Sequence, residues 1–130
     1  MGDIIYREES FAIVGAAMHV HSELGMGFVE KVYQDALEIE FKKRGIPFER
    51  EKRLLVDYEG NPLRRDFYVD FLCYSKIAVE IKAASRIAQP FVAQTMSYIK
   101  AGDFKLGLLL NFGQPSLAFR RLLNSNANII

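Results

Sequence analysis

The sequence predicts one α/β or α+β domain with the element order ααβββαββ. Three observations carry this expectation. Apolar residues recur at three- and four-residue intervals through the first third of the chain, as on helices. From Phe48 onward a two-residue alternation takes over, and its clearest stretch is two segments joined by a short polar connection. A proline-initiated helical segment then separates this region from an almost wholly apolar strand and a last short one. A length of 130 residues fits one domain. With 50% hydrophobic and 25% charged residues the chain can bury a core, which excludes a disordered or fibrous class.

The first helix is expected from Glu8 to Leu24, with Phe11, Val14, Ala17, Met18 and His21 as its stripe, and Gly25-Met-Gly27 breaks it. The second is expected from Phe28 to Lys43 on Val29, Val32, Tyr33, Ala36, Leu37 and Phe41. Lys42, Lys43 and Arg44 suit the negative end of its dipole, and Gly45 is a left-handed cap that Pro47 follows. Arg53 to Tyr58 is rich in strand formers, and Glu59-Gly-Asn-Pro62 is a turn. Arg65 to Tyr74 and Lys76 to Ala83 alternate. Gln89-Pro90 opens a third helix that ends near Ala101. Lys105 to Phe112 reads as a strand buried on both faces, and Leu117 to Leu122 as a short one. Residues 124–130 are polar at first and are expected to fray.

Composition narrows the function classes. Cys73 is the sole cysteine, so neither an intramolecular disulfide nor a multi-cysteine metal cluster is available. No apolar run approaches the roughly 20 residues of a membrane span. The start MGDIIYREES lacks the basic-then-apolar layout of a secretion signal, so a cytoplasmic protein is expected. Seventeen basic against sixteen acidic residues give a net charge of +1, which argues against a strongly basic nucleic-acid binder.

The strongest chemical signal lies in Tyr68-Val-Asp-Phe-Leu-Cys73 and Ile77-Ala-Val-Glu-Ile-Lys82. If Tyr74, Ser75 and Lys76 connect them, Cys73 faces Ile77, Phe71 faces Val79 and Val69 faces Ile81. Every apolar residue then meets an apolar partner, whereas a one-residue slip would oppose apolar to polar positions. The same register sets Asp70 opposite Glu80 with Cβ atoms about 4.5–5.5 Å apart, and Lys82 roughly 6.6 Å further along. Two facing carboxylates repel unless something compensates. Lys82 is one candidate and a divalent cation a better one, since Mg²⁺ takes carboxylate oxygens and keeps several waters. A solvated sheet face carrying these three charges is the alternative. His19 and His21, two apart, share no helix face and make a poor metal pair.

Asp70 followed by Glu80-Ile81-Lys82 resembles the D…ExK core of the PD-(D/E)xK nucleases. Gly27-Phe-Val-Glu30-Lys-Val-Tyr33 resembles the motif of the GxxExxY proteins. His21-Ser-Glu-Leu-Gly25, Arg44-Gly-Ile-Pro-Phe-Glu49 and Leu106-Gly-Leu-Leu-Leu-Asn-Phe-Gly113 extend the likeness, which covers roughly residues 11 to 121. The chain departs from the superfamily pattern at Val69, where a proline precedes the aspartate in many members. The resemblance implies a restriction-endonuclease-like core, a mixed sheet flanked by helices. It implies that Asp70 and Glu80 ligate Mg²⁺ or Mn²⁺ together with the backbone carbonyl of Ile81, that Lys82 positions or activates water, and that Glu30 adds a carboxylate to the metal and to catalysis. Gln94-Thr-Met-Ser-Tyr98 resembles a QxxxY element, which adds Gln94 and Tyr98, one turn apart, as substrate contacts.

Tyr33 is a further candidate contact with two readings, a packed aromatic or a residue that orients Glu30. Arg64 and Arg65, at the start of the Asp70 strand, are the first choice for phosphate contacts. The function expected is a metal-dependent nuclease that hydrolyses DNA, in the form of a monomer or homodimer with no membrane association. The alternative is a non-catalytic nucleic-acid- or protein-binding module on the same fold.

Overall fold

The computed structural model describes residues 4–124. The expected tail after Asn124 lies outside the described residues. Helices α1 (Arg7–Leu24) and α2 (Glu30–Arg44) come first, followed by strand β1 (Phe48–Leu54). A small hairpin of β2 (Asp57–Tyr58) and β3 (Asn61–Pro62) precedes β4 (Phe67–Cys73) and β5 (Ile77–Lys82). Helix α3 (Gln89–Ala101), β6 (Leu106–Asn111) and β7 (Ala118–Leu123) complete the order. With the β2–β3 hairpin counted as a decoration, this is the expected ααβββαββ.

Two differences from the sequence expectations have simple causes. The first strand begins at Phe48 rather than Arg53, because it runs the full length of β4 from Phe48↔Cys73 to Leu54↔Phe67. The expected turn at Glu59 is the tip of the β2–β3 hairpin. Tyr58 pairs with Asn61 across Glu59 (φ 50°) and Gly60 (φ 84°), both left-handed, as a tight two-residue hairpin requires.

The main sheet is five-stranded in the order β1-β4-β5-β6-β7 and mixed, since only the β5–β6 pair is parallel. A parallel pair needs a crossover, and α3 provides it. All six residues of β6 are buried, as its apolar run led one to expect. Ile13, Ala17, Tyr33, Leu37 and Phe41 of α1 and α2 pack with Phe71, Val79, Ile81 and Leu108. Ile99 of α3 packs with Leu72, Ala78 and Leu122 in a second cluster. Helix α1 buries Val14, Ala17 and His21 of the expected stripe, but the inward face is rotated away from its other two residues. Phe11 and Met18 are exposed, while Ile13, Ala16 and Val20 are buried. Two apolar stripes overlap on this helix, and the one with smaller side chains lies against α2 and β6.

The β4–β5 hairpin has the expected register at Cys73↔Ile77, Leu72↔Ala78 and Phe71↔Val79, joined by Tyr74, Ser75 and Lys76. The expected Val69–Ile81 apolar pair does not form. Val69 joins the cluster beneath α3, whereas Phe71 joins the one beneath α1 and α2. The alternation of β4 therefore breaks at Asp70. On its other flank, Arg50↔Phe71 and Lys52↔Val69 leave Glu51 opposite Asp70, and Glu51 has φ 52°. The sheet is thus distorted on both sides of Asp70.

Candidate functional site

The carboxylates of Asp70 and Glu80 replace the main-chain ladder where β4 leaves β5. The Asp70 amide donates to Glu80 Oε1 at 2.9 Å, and the Ile81 amide donates to Asp70 Oδ2 at 2.7 Å. This reciprocal pair brings the two acids together inside the fold, with Glu80 only 4% exposed. Burial, reinforced by the Asp70 charge, pushes the Glu80 carboxyl up to about 8. Burial also raises Asp70, with Glu30 adding to the effect and the Ile81 amide opposing it. Burial and a neighbouring like charge thus both disfavour ionisation of the pair, and such perturbed carboxyls cluster at functional sites.

The Lys82 carbonyl accepts from Phe112 of the β6 side at 2.8 Å. Strand alternation then directs the preceding Ile81 carbonyl to the β4 side, beside Asp70. The Lys82 ammonium forms no ion pair with either acid among the described residues. It donates to Gln94 Oε1 at 3.0 Å and lies 5.0 Å from the centre of the Phe91 ring, a cation–π contact. Gln94 and Phe91 both come from the first half of α3, so this helix sets where the ammonium points. Tyr98, one turn beyond Gln94, has its phenol raised by burial and by the charges of Glu80 and Asp70, which places it within electrostatic reach of the pair.

Glu30 lies within electrostatic reach of the pair. It opens α2 and bears on the ionisation of both acids, yet among the described residues no group of three or more His, Cys, Asp or Glu side chains is close enough to hold a metal. The site offers a pair of carboxylates rather than three. The reason is that Glu30 projects from a helix start while the other two are locked on the hairpin by backbone amides. Its neighbour Lys31 pairs with Glu51 at 2.7 Å, tying the start of α2 to the distorted point of β1.

Tyr33 takes the packed reading of the two. It is fully buried, so contact with a substrate is closed to it. Its hydroxyl donates to the Gly25 carbonyl at 2.6 Å and accepts from the Phe28 amide at 3.3 Å. It therefore fastens the turn that leads into Glu30, a turn that needs Gly25 (φ 69°) and Gly27 (φ 115°). Its ring stacks on Phe112 at 4.6 Å between centroids. Arg64 and Arg65 lie in the exposed approach to β4, without a partner among the described residues.

Sequence reasoning gave Asn111 no role beyond family likeness, and the structure gives it one. Its side chain, fully buried, accepts from the amides of Ala84 and Gly113 and donates to the Ala84 carbonyl and to Gln114 Oε1. It clamps the chain just beyond Lys82. A Cβ on Gly113 would fall on the Ala84 backbone, which explains the glycine. His21 donates from Nε2 to the Gln114 carbonyl at 2.8 Å and stacks on Phe112. The signal for this clamp was an asparagine inside an apolar strand, because a buried amide needs partners.

The arrangement brings two buried carboxylates together, with an ammonium that α3 holds nearby. The solved structure of SSO0001 is similar over 92% of this chain and 57% of that one, with a TM-score of 0.55 and 18% identity, a likeness of fold. This chain thus spans a little over half of that protein's length. No curated protein matches it. No helix among the described residues is long and apolar enough to cross a membrane. The mixed five-stranded sheet flanked by helices is consistent with the restriction-endonuclease-like core. A family model matches residues 7–122, nearly the whole chain, and on that match the chain belongs to the PD-(D/E)XK nuclease superfamily.

Proposed function

We infer that this protein is a metal-dependent nuclease that hydrolyses DNA phosphodiester bonds, of the GxxExxY kind. The observation that carries this reading is the buried Asp70–Glu80 pair, bridged by the amides of Ile81 and Asp70. It is a pair of buried acids with no cationic side chain bonded to it among the described residues. The donor set fits Mg²⁺ or Mn²⁺, which take carboxylate and carbonyl oxygens and complete their shell with water. Asp70, Glu80 and the Ile81 carbonyl would hold the ion, which would polarise the scissile phosphate.

The chain's own residues do the rest. Gln94 and Phe91 hold the Lys82 ammonium away from the carboxylates, so its charge is free for a phosphate oxygen and for a water aligned on phosphorus. Glu30, from the helix start, faces the same space and helps orient that water. Arg64 and Arg65 meet flanking phosphates. A net charge of +1 argues against tight, non-specific binding to duplex DNA without the ion, so duplex binding is expected to depend on both salt and metal.

The test is cleavage of supercoiled, single-stranded and branched DNA with Mg²⁺ or Mn²⁺. Asp70→Asn, Glu80→Gln and Lys82→Met should each lower the rate by about 100-fold or more. Variants that cut as fast as the parent protein rule the reading out. The absence of a three-carboxylate cluster among the described residues favours a second reading, a binding module that holds nucleic acid without turnover. That reading requires DNA binding that survives Asp70→Asn and fails in Arg64→Ala.

A further inference from the structure

We propose that the groove between α3 and the β1–β2 connection holds an unpaired base of single-stranded DNA. This deepens the nuclease reading and rests on it. The groove measures about 560 Å³ and is lined by Leu55, Val56, Phe67, Tyr98, Ala101 and Lys100. Its rim carries exposed apolar side chains, Leu55 at 55% and Phe67 at 37%. Tyr98 forms its wall toward Asp70 and Glu80, whose charges act on the phenol.

Three features select the occupant. The first is the aromatic wall, since every unpaired base has a face to stack on Phe67 or Tyr98, whereas a duplex hides its base faces and offers phosphates. The second is charge. Lys100 in the groove, and Arg64 and Arg65 in the exposed segment before Phe67, are cations without an ion-pair partner among the described residues. The acid in the lining, Asp57, is already engaged by the Gly60 amide at 2.9 Å in the β2–β3 turn. The third is the net charge of +1, too small for a broad phosphate footprint along a duplex. Affinity must come from a few cations together with stacking, and that combination belongs to single strands.

The experiment uses the full chain with a chelator and no divalent ion, so that binding is read apart from cleavage. The probes are a fluorescein-labelled single strand of roughly 12 nucleotides and a duplex of the same sequence closed by hairpins at both ends, followed by anisotropy. The single strand should bind at least about tenfold tighter. Phe67→Ala should weaken the single strand by about tenfold or more while Phe67→Tyr retains it. Lys100→Gln should make the salt slope about 0.7 shallower. A duplex bound as tightly as the single strand, binding of neither, or Phe67→Ala without effect overturns the proposal. Selective binding with no cleavage on adding Mg²⁺ or Mn²⁺ supports the groove and overturns the nuclease reading instead.

Discussion

Replacing Glu80 by Gln should stabilise the protein, by an amount that depends on pH. In the folded chain the Glu80 carboxyl ionises only near pH 8, against the ordinary 4.5. Between these values the folded state holds a proton that the unfolded chain has lost. Stability therefore falls as pH rises through this window and levels off above it. At about 1.4 kcal/mol per unit the full cost of ionising Glu80 is on the order of 5 kcal/mol. Part of it is shared with Asp70, so a few kcal/mol at pH 9 is the working figure. Glutamine keeps an oxygen for the Asp70 amide and removes the charge. At pH 5 the two proteins should differ by less than about 1 kcal/mol. At pH 9 the variant should be more stable by a few kcal/mol, a rise in urea midpoint of about 1 M or more. Urea titrations followed by circular dichroism at both pH values give the answer. An equal gain at both, or a loss at pH 9, refutes the claim that a buried charge is being held at a cost.

Further expectations follow from the same geometry. Binding of Mg²⁺ at pH 7 should expel about one proton from the carboxylate pair, seen as a calorimetric heat that varies with the buffer's ionisation enthalpy, and none at pH 9. A buffer-independent heat at pH 7 would contradict the raised Glu80. Tyr33→Phe keeps the stack on Phe112 but strands the Gly25 carbonyl and the Phe28 amide, so it should cost about 1–3 kcal/mol in urea unfolding. Gly113→Ala should cost about 3 kcal/mol or more, because the added Cβ meets backbone that Asn111 already holds in place. Gly60→Ala, whose Cβ would meet open space, should cost about 1 kcal/mol from its left-handed φ alone.

The architecture was legible because its signals are local. Helical spacing, the Gly45 cap, the proline at the start of α3 and the apolar run of β6 each act over a few residues. The Asp70–Glu80 adjacency was legible too, since only one hairpin register matches apolar to apolar. What escaped was tertiary. Nothing in Tyr68 to Cys73 marks the break in alternation at Asp70, which depends on β1 being bent at Glu51 on the opposite flank. The facing of α1 depended on which of two apolar stripes α2 and β6 would accept. The stacking of Tyr33 on Phe112, 79 positions away, and the Lys82–Phe91 contact turned on how separate elements return to the sheet. That no cluster of three such side chains forms among the described residues reflects distances between separate elements, which residue types do not encode.

The exchange of main-chain carbonyls for carboxylates at the parting of β4 and β5 has a spectroscopic consequence. The amide protons of Asp70 and Ile81 end on side-chain oxygens whose charge changes with proton and cation occupancy. In an ¹⁵N-resolved spectrum these two resonances should move together on titration with acid or Mg²⁺, while the amides of Phe71 and Val79, in the regular ladder one residue away, stay nearly still. The hairpin thus carries two built-in reporters of what its acids hold, readable without substrate and without turnover.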